Sequence, residues 1–111
     1  MRYRVIEGWT ATYPTAIAVR RGDPVTLDGR RDDWEGHLWV WAQARDGCEG
    51  WIPDDCVADG QATRDFDAME LTCGAGAILE GIEQTHGWVL CRASDGRSGW
   101  VPSNTLVALS D

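Results

Sequence analysis

The chain has 111 residues, of which 18 are acidic and ten are basic, so its formal net charge at pH 7 is −8. An acidic balance of this size disfavours binding to nucleic acid or to anionic membranes, because both depend on neutralised phosphate, and favours cationic partners. No apolar stretch approaches the length of a signal or membrane segment, so we expect a cytoplasmic protein.

Short β-rich runs, each closed by Gly, Pro or Asp, follow one another along the chain, and sustained helical periodicity is absent. They cover residues 2–6, 24–27, 38–44 and 48–52, and then residues 77–82, 88–93 and 97–101. Asp46-Gly47 and Asp95-Gly96 each stand between two runs, and Asp-Gly is typical of tight hairpins. After Pro53 and Pro102 the sequence predicts a single 3-10 turn and a last short strand, at residue 57 and at residues 106–109. The chain is therefore predicted to be all-β.

One segment of the chain occurs twice. Residues 37–53 recur at 86–102, an offset of 49, with nine identical residues that include the Asp-Gly, Gly-Trp and Pro positions. A repeat of this kind indicates a duplicated unit of supersecondary structure. We therefore predict two small domains, residues 1–58 and residues 61–111, joined by the short linker Ala58-Asp59-Gly60. Domains of this size have thin cores, which the seven Trp residues would help to fill.

The ordered motifs resemble the Src homology 3 (SH3) domain. In the second half, Ala62-Thr63-Arg64-Asp65-Phe66 resembles the opening Ala-Leu-Tyr-Asp-Tyr motif and Trp88-Val89-Leu90-Cys91 resembles the Trp-Trp-Leu-Ala strand. Gly99-Trp100-Val101-Pro102-Ser103-Asn104 is similar to the closing pattern. In the first half, residues 17–23 and 39–42 fill the same positions. The resemblance implies two tandem five-stranded SH3-like barrels, and variant domains of this type occur in tandem in bacteria.

The resemblance also implies a binding site. SH3 domains hold proline-rich peptides in a polyproline II conformation between aromatic side chains. Carried over by position, the ligand-binding residues of the second domain are Phe66, Trp88, Trp100, Pro102 and Asn104. Those of the first domain are Trp9, Trp39, Trp51 and Pro53. Other groove positions depart from the motif, with Arg64 and Thr105 in the second domain and Glu7, Asp55 and Cys56 in the first.

The leading hypothesis is a non-catalytic tandem module that binds a protein or a proline-rich or cationic peptide. The alternative is a structural scaffold whose Trp surfaces are used in interdomain or homodimer packing, and the solvent accessibility of Trp39 and Trp88 distinguishes the two. No catalytic motif or cofactor site is evident, so an enzyme is not expected. The four cysteines lack the paired spacing of zinc ligands, so we expect free thiols and no metal.

The remaining aromatic and charged residues receive structural interpretations. From strand alternation we assign these residues to the core: Val19, Trp41, Ala42, Ile52, Leu71, Cys73, Cys91 and Val101. Half-buried packing is the alternative to a ligand role for Trp51 and Trp100. A loop before Trp39 is expected to hold His37 with Asp32, Asp33, Trp34 and Glu35, either as an acidic-aromatic patch for a cation or as an ordinary solvated loop. His86 is expected at the equivalent place before Trp88.

Overall fold

The computed structural model describes residues 1–12 and 16–110, so Asp111, the last residue of the second predicted domain, lies outside the described residues. This part of the chain is all-β, as predicted, and contains no α-helix. Its strands are β1 (Arg2–Val5), β2 (Ala18–Val19), β3 (Thr26–Trp34), β4 (His37–Gln43), β5 (Glu49–Pro53), β6 (Val57–Ala58), β7 (Gln61–Ala62), β8 (Phe66–Asp67), β9 (Ile78–Thr85), β10 (Trp88–Arg92), β11 (Ser98–Pro102) and β12 (Leu106–Ala108).

The locally determined elements follow the sequence prediction closely. Single 3-10 turns at Asp54–Cys56 and Ser103–Thr105 come directly after Pro53 and Pro102, and each leads into a short strand. The proline positions end β5 and β11 because proline has no N–H to donate to a ladder. Among the described residues, no helix is long and apolar enough to cross a membrane.

Strand β3 is much longer than the predicted run at residues 24–27. It continues to Trp34, and Asp32 and Asp33, expected in a loop, pair with Trp39 and Leu38. The chain reverses at Glu35 and Gly36, whose φ angles are 52° and 82°. Positive φ at both central residues is the signature of a two-residue hairpin turn that matches strand twist, so the predicted loop is an extended β3–β4 hairpin.

The described residues form two compact units whose boundaries differ from the predicted domains. One comprises residues 16–68, and we call it the central unit. The other joins residues 1–12 to residues 69–110, and we call it the terminal unit. The terminal unit contains a five-stranded sheet in the order β11-β10-β9-β1-β12, and the central unit contains the sheets β3-β4-β5, β2-β8 and β6-β7.

The first strands of the two repeats are exchanged between the units. Strand β1 belongs to the first repeat by sequence, yet it pairs antiparallel with β9 and β12 of the second repeat. Strand β7 opens the second repeat, yet it pairs with β6 at the end of the first. The predicted domains at 1–58 and 61–111 and the two compact units therefore differ in where they place the opening strands.

The cause of the exchange lies in the segment read as a linker. Asp59 and Gly60 have φ angles of 53° and 75°, and Ala58 stands directly opposite Gln61. A two-residue turn of this kind obliges the strand that follows to pair with the strand before it. It closes a far smaller loop than a return to β1 would, so it costs less chain entropy. With the place beside β6 taken, β1 occupies the equivalent place beside β12.

Each unit has its own apolar interior. The core of the terminal unit is formed by Tyr3, Val5, Leu71, Leu79, Val89, Cys91, Val101 and Leu106. Buried apolar residues of the central unit include Ile17, Val19, Val40, Ala42 and Ile52. Every core residue predicted from alternation is buried except Cys73 and Trp41, which are half-buried. The assignment of Trp41 was wrong because Trp39 and Trp41 are two residues apart and share one face of β4, while Val40 and Ala42 turn inward.

Candidate functional site

The strand exchange regroups the predicted site residues. Trp9 was expected beside Trp39, but its ring packs edge-on against Trp88, with centroids 5.4 Å apart and planes at 82°. Phe66 was expected beside Trp88, but its ring lies 6.4 Å from that of Trp39, at 61°. Each aromatic pair therefore takes one ring from each repeat. Both geometries are of the edge-to-face kind that aromatic quadrupoles favour.

In the terminal unit, Trp9 is fixed by both its backbone and its ring. Its backbone N–H and C=O each bond to Cys73 at 2.8 Å, which places the residue on a short two-stranded ladder. Its indole Nε1 donates to the Glu70 carboxylate at 2.9 Å. Trp88 is the first residue of β10 and stands opposite Pro102. Both indoles are half-buried, so the pair combines a held geometry with accessible ring surface.

The Glu70 carboxylate places a negative charge beside the Trp9 ring of this pair. Besides the indole of Trp9, one oxygen accepts hydrogen bonds from Thr12, from Oγ1 at 2.9 Å and from the backbone N–H at 3.2 Å. All three donors are neutral, so they orient the carboxylate without cancelling its negative charge. A negative charge held in place by the Trp9 indole, on a half-buried side chain, is well suited to a cationic group.

The equivalent pair in the central unit is much less accessible. Trp39 is 8% exposed and Phe66 is 7% exposed. Pro53 stands opposite Trp39 on β5 and is fully buried. The solvent accessibility of Trp39 and Trp88, which distinguishes a binding module from a scaffold, therefore differs between the units. Trp88 offers ring surface to a ligand, whereas Trp39 offers little.

Three departures from the SH3 motif meet in the central unit. Arg64, in the place of the first groove tyrosine, donates from Nη2 to Asp55 Oδ1 at 3.0 Å and from Nε to Cys56 Sγ at 3.2 Å. Asp55 and Cys56 stand where the motif has its asparagine and last tyrosine. The domains predicted from the sequence place Arg64 in the second domain and Asp55 and Cys56 in the first. The exchange brings them into one polar cluster in the central unit.

The same positions in the terminal unit have different surroundings. Glu7 and Asn104 are exposed, and Thr105 is buried with its Oγ1 donating to the Pro102 carbonyl at 2.8 Å. Pro102 is itself fully buried and supports the turn that carries Asn104. Of the residues predicted for the second domain, Trp88, Trp100, Pro102 and Asn104 lie in the terminal unit, where Trp9 takes the place of Phe66 beside Trp88.

Trp51 and Trp100 have structural surroundings. Trp100 is 5% exposed because residues 69–71 run beside it, with its N–H bonded to Met69 O at 2.9 Å and its carbonyl to Leu71 N at 3.0 Å. Trp51 packs edge-on against Trp41 at 5.2 Å, and Arg30 stacks over Trp41 at 4.5 Å.

The repeated histidines occupy different positions. His37 is the first residue of β4, opposite Trp34, whereas His86 is a turn residue with a φ of 51° whose ring bonds Thr85 Oγ1 at 2.8 Å. The prediction that both lie in a loop holds for His86 alone. The cysteines form no disulfide in the part of the chain that is described. Burial, with Cys73 close by, raises the pKa of the Cys91 thiol to about 11, which keeps it protonated and unreactive.

Short antiparallel strands, tight Asp-Gly hairpins and paired aromatic surfaces define a small all-β interaction module. The family model of the variant SH3 domain matches residues 2–59, more than half of the chain. The chain belongs to this family, whose domains generally mediate protein interactions. The match stops before the second repeat, and neither the curated proteins nor the solved structures contain a match to this chain.

Proposed function

We propose that the chain is a non-catalytic protein-binding module and that its ligand is a peptide containing proline and arginine. We further propose that each unit is an SH3-like barrel completed by an exchanged strand, in a cytoplasmic protein without a cofactor. The observation that carries the proposal is the half-buried Trp9–Trp88 pair with the oriented carboxylate of Glu70.

The ligand class follows from the chemistry of this site. A polyproline II segment is extended before it binds, so it loses little conformational entropy, and its rings pack well against indole faces. A guanidinium can approach the Glu70 carboxylate, whose donors Trp9 and Thr12 are neutral, and stack on an indole at the same time. The net charge of −8 adds a long-range attraction for a cationic peptide.

The second candidate function, a scaffold surface, applies best to the central unit. Trp39 and Phe66 are almost fully buried, and Arg64 and Cys56, which stand in place of groove tyrosines, bond to each other. These features favour a packing role for that aromatic pair. The proposal therefore assigns one peptide site to each chain, in the terminal unit.

The test is an NMR titration of the full chain with peptides that carry proline and arginine, with matched variants. We expect the indole N–H signals of Trp9 and Trp88 to shift, and Trp88→Ala to weaken binding about 10-fold or more, as for a central aromatic anchor. Trp39→Ala, checked for folding by its amide spectrum, serves as the control in the other unit. Equal losses in both variants, or no shift of the Trp9 and Trp88 signals, would overturn the proposal.

A second pair of experiments isolates the charge. Glu70→Gln keeps a hydrogen-bond acceptor for Trp9 and removes the negative charge. We expect it to weaken an arginine peptide several-fold while leaving the same peptide with glutamine in place of arginine unaffected. If both peptides lose affinity equally, Glu70 acts by holding Trp9 in place and the arginine preference is wrong.

A further inference from the structure

Residues 1–12, here called the arm, belong to the first repeat by sequence. In the structure they complete the terminal unit, which otherwise consists of residues 69–110 of the second repeat. Strand β1 lies between β9 and β12, so the arm fills an interior position of the five-stranded sheet. Tyr3 and Val5 are 8% and 1% exposed and form part of the core of the terminal unit. Without the arm, β9 and β12 would each present an unpaired edge beside an apolar gap.

Residues 69–110 supply the contacts that hold β1 in the sheet. Val5 exchanges backbone hydrogen bonds with Ala77 at 2.9 Å and Gly76 at 2.7 Å, and Ile6 bonds to Thr105 at 2.8 Å. The Tyr3 ring fills the space above Gly81, where a Cβ would lie 2.4 Å from its Cε2. The Tyr3 hydroxyl accepts a hydrogen bond from Gln84 at 2.6 Å. An arm of the same sequence from any chain could make every one of these contacts.

The central unit does not need the arm, because β7 and β8 from the second repeat supply its opening strands. Ala62 bonds to Asp23 and Gly22 at 2.8 Å, and Phe66 pairs with Val19. The arm is thus an element donated across repeats within one chain. Donation of a strand between chains uses the same hydrogen bonds and the same buried side chains.

We propose that two copies of this chain exchange their arms reciprocally and form a dimer. In the dimer, Trp9 of one copy packs against Trp88 of the other, so each aromatic site contains a residue from both chains. Arm contacts are identical in monomer and dimer, and the balance depends on the effective concentration of the chain's own arm, on the order of millimolar. Exchange requires release of β1 from two neighbours, so it is slow and is reached most readily by refolding at high concentration.

Cross-linking between two variants, each with one cysteine added to the four native ones, tests the exchange in the full chain. Arg4 stands directly opposite Val107 in the β1–β12 ladder, and both residues are exposed. Arg4→Cys is placed in one sample and Val107→Cys in another, and the two are mixed, unfolded, refolded together near 1 mM and oxidised. We expect a disulfide between the two introduced thiols, found by peptide mapping, in a species of twice the 12.3 kDa monomer mass.

Two controls keep the result interpretable. Arg4→Cys mixed with Ser94→Cys tests for random coupling, because Ser94 is an exposed turn residue outside the β1 ladders. The double variant Arg4→Cys/Val107→Cys, refolded at micromolar concentration, should close its disulfide within one chain and so verify the register. If that disulfide forms but the mixed variants couple no more than the Ser94→Cys control and stay monomeric, reciprocal exchange is overturned.

Discussion

The repeated Gly-Trp pairs owe their glycine to a close approach between two chain segments. A Cβ on Gly99 would lie 2.7 Å from Glu70 C and 2.7 Å from Leu71 N, both backbone atoms of the segment beside β11. A Cβ on Gly50 would lie 2.8 Å from Cγ2 of Ile17, a side-chain atom. Glycine is thus required at both positions because another chain segment lies close to it. A Cβ should be tolerated less well at Gly99 than at Gly50, because backbone moves less readily than a side chain.

Alanine substitution at the two positions should reveal this difference. We expect Gly99→Ala to lower the free energy of unfolding by about 1–3 kcal/mol, as overpacking does, and Gly50→Ala to lower it by less. Gly74→Ala is the control, because its Cβ would meet no atom within 4 Å; there the loss of chain entropy in the unfolded state should leave stability unchanged or slightly higher. Urea unfolding measures all three. Gly99→Ala as harmless as Gly74→Ala would disprove the close approach.

Cys91 should make the stability of the protein depend on alkaline pH. Burial raises its pKa from 9.0 to about 11, so in the folded state the thiol stays neutral where the unfolded chain has begun to ionise. Its contribution is complete below pH 9 and is lost as the pH rises towards 11, by about 2–3 kcal/mol for a shift of this size. Cys91→Ala should lower stability at pH 7 by leaving a small cavity, but its decline between pH 9 and 11 should be shallower. Parallel pH profiles of the two proteins would contradict this account.

At the scale of elements, the strand exchange predicts that a substitution in β1 destabilises the terminal unit. The sequence alone predicts that it destabilises the first domain. Val5 is 1% exposed and packs in the core of the terminal unit. Val5→Ala should destabilise that unit by about 2 kcal/mol, from lost burial and a cavity. Hydrogen exchange should show lower amide protection in β9–β12 and unchanged protection in β3–β5.

Ile52→Ala is the matched variant for the central unit. Ile52 is fully buried in β5, and its truncation should lower protection in β3–β5 while sparing β9–β12. Each substitution should therefore lower amide protection in one unit only. Val5→Ala, in the first strand of the first repeat, should lower protection in strands of the second repeat. Loss of protection in β3–β5 on Val5→Ala would mean that β1 belongs to its own repeat.

What the sequence predicts well is what neighbouring residues determine. Asp46-Gly47 forms its hairpin through bonds among residues 44–48 alone, with Ala44 N to Cys48 O at 2.9 Å and Gly47 N to Ala44 O at 3.0 Å. The same local chemistry closes the β10–β11 hairpin at Gly96. The exchange followed from an equally local signal, since Asp59-Gly60 is a third Asp-Gly between two short strands. Because Asp59-Gly60 is interpreted as a linker in the sequence analysis, the prediction misses the turn that pairs β6 with β7 and decides which strands share a unit.

The candidate site shows the same division between local and non-local information. Residue identities alone select Trp9, Trp88, Pro102 and Asn104, because each occupies a recognisable position in its repeat. Their grouping depends on β1 pairing with β12, more than 100 residues away along the chain. Glu70 is not among the residues that the motif selects, and its bond to Trp9 spans 61 residues. Sequence pattern carries little information about contacts at such separations.

At the scale of the whole molecule, the family match and the folded units divide the chain differently. The match covers residues 2–59, which is one copy of the repeat, from β1 to β6. The central unit instead covers residues 16–68, from β2 to β8. The folding unit begins one strand later than the sequence unit, at β2, and ends two strands later, at β8.

This offset predicts which fragments of the chain can fold. Residues 16–68 contain every strand of the central unit and close on a hairpin at Asp59-Gly60, so this fragment should unfold cooperatively by itself, although a core this small will be only marginally stable. Residues 1–58 should not fold as a monomer, because the fragment lacks β7 and β8 and carries β1 without β9 or β12 to pair with. Circular dichroism and amide dispersion in NMR spectra measure the difference, and adding residues 61–111 to residues 1–58 should restore folding by supplying both missing sets of strands. A stable, monomeric fragment of residues 1–58 beside an unfolded fragment of residues 16–68 would show that each repeat keeps its own first strand.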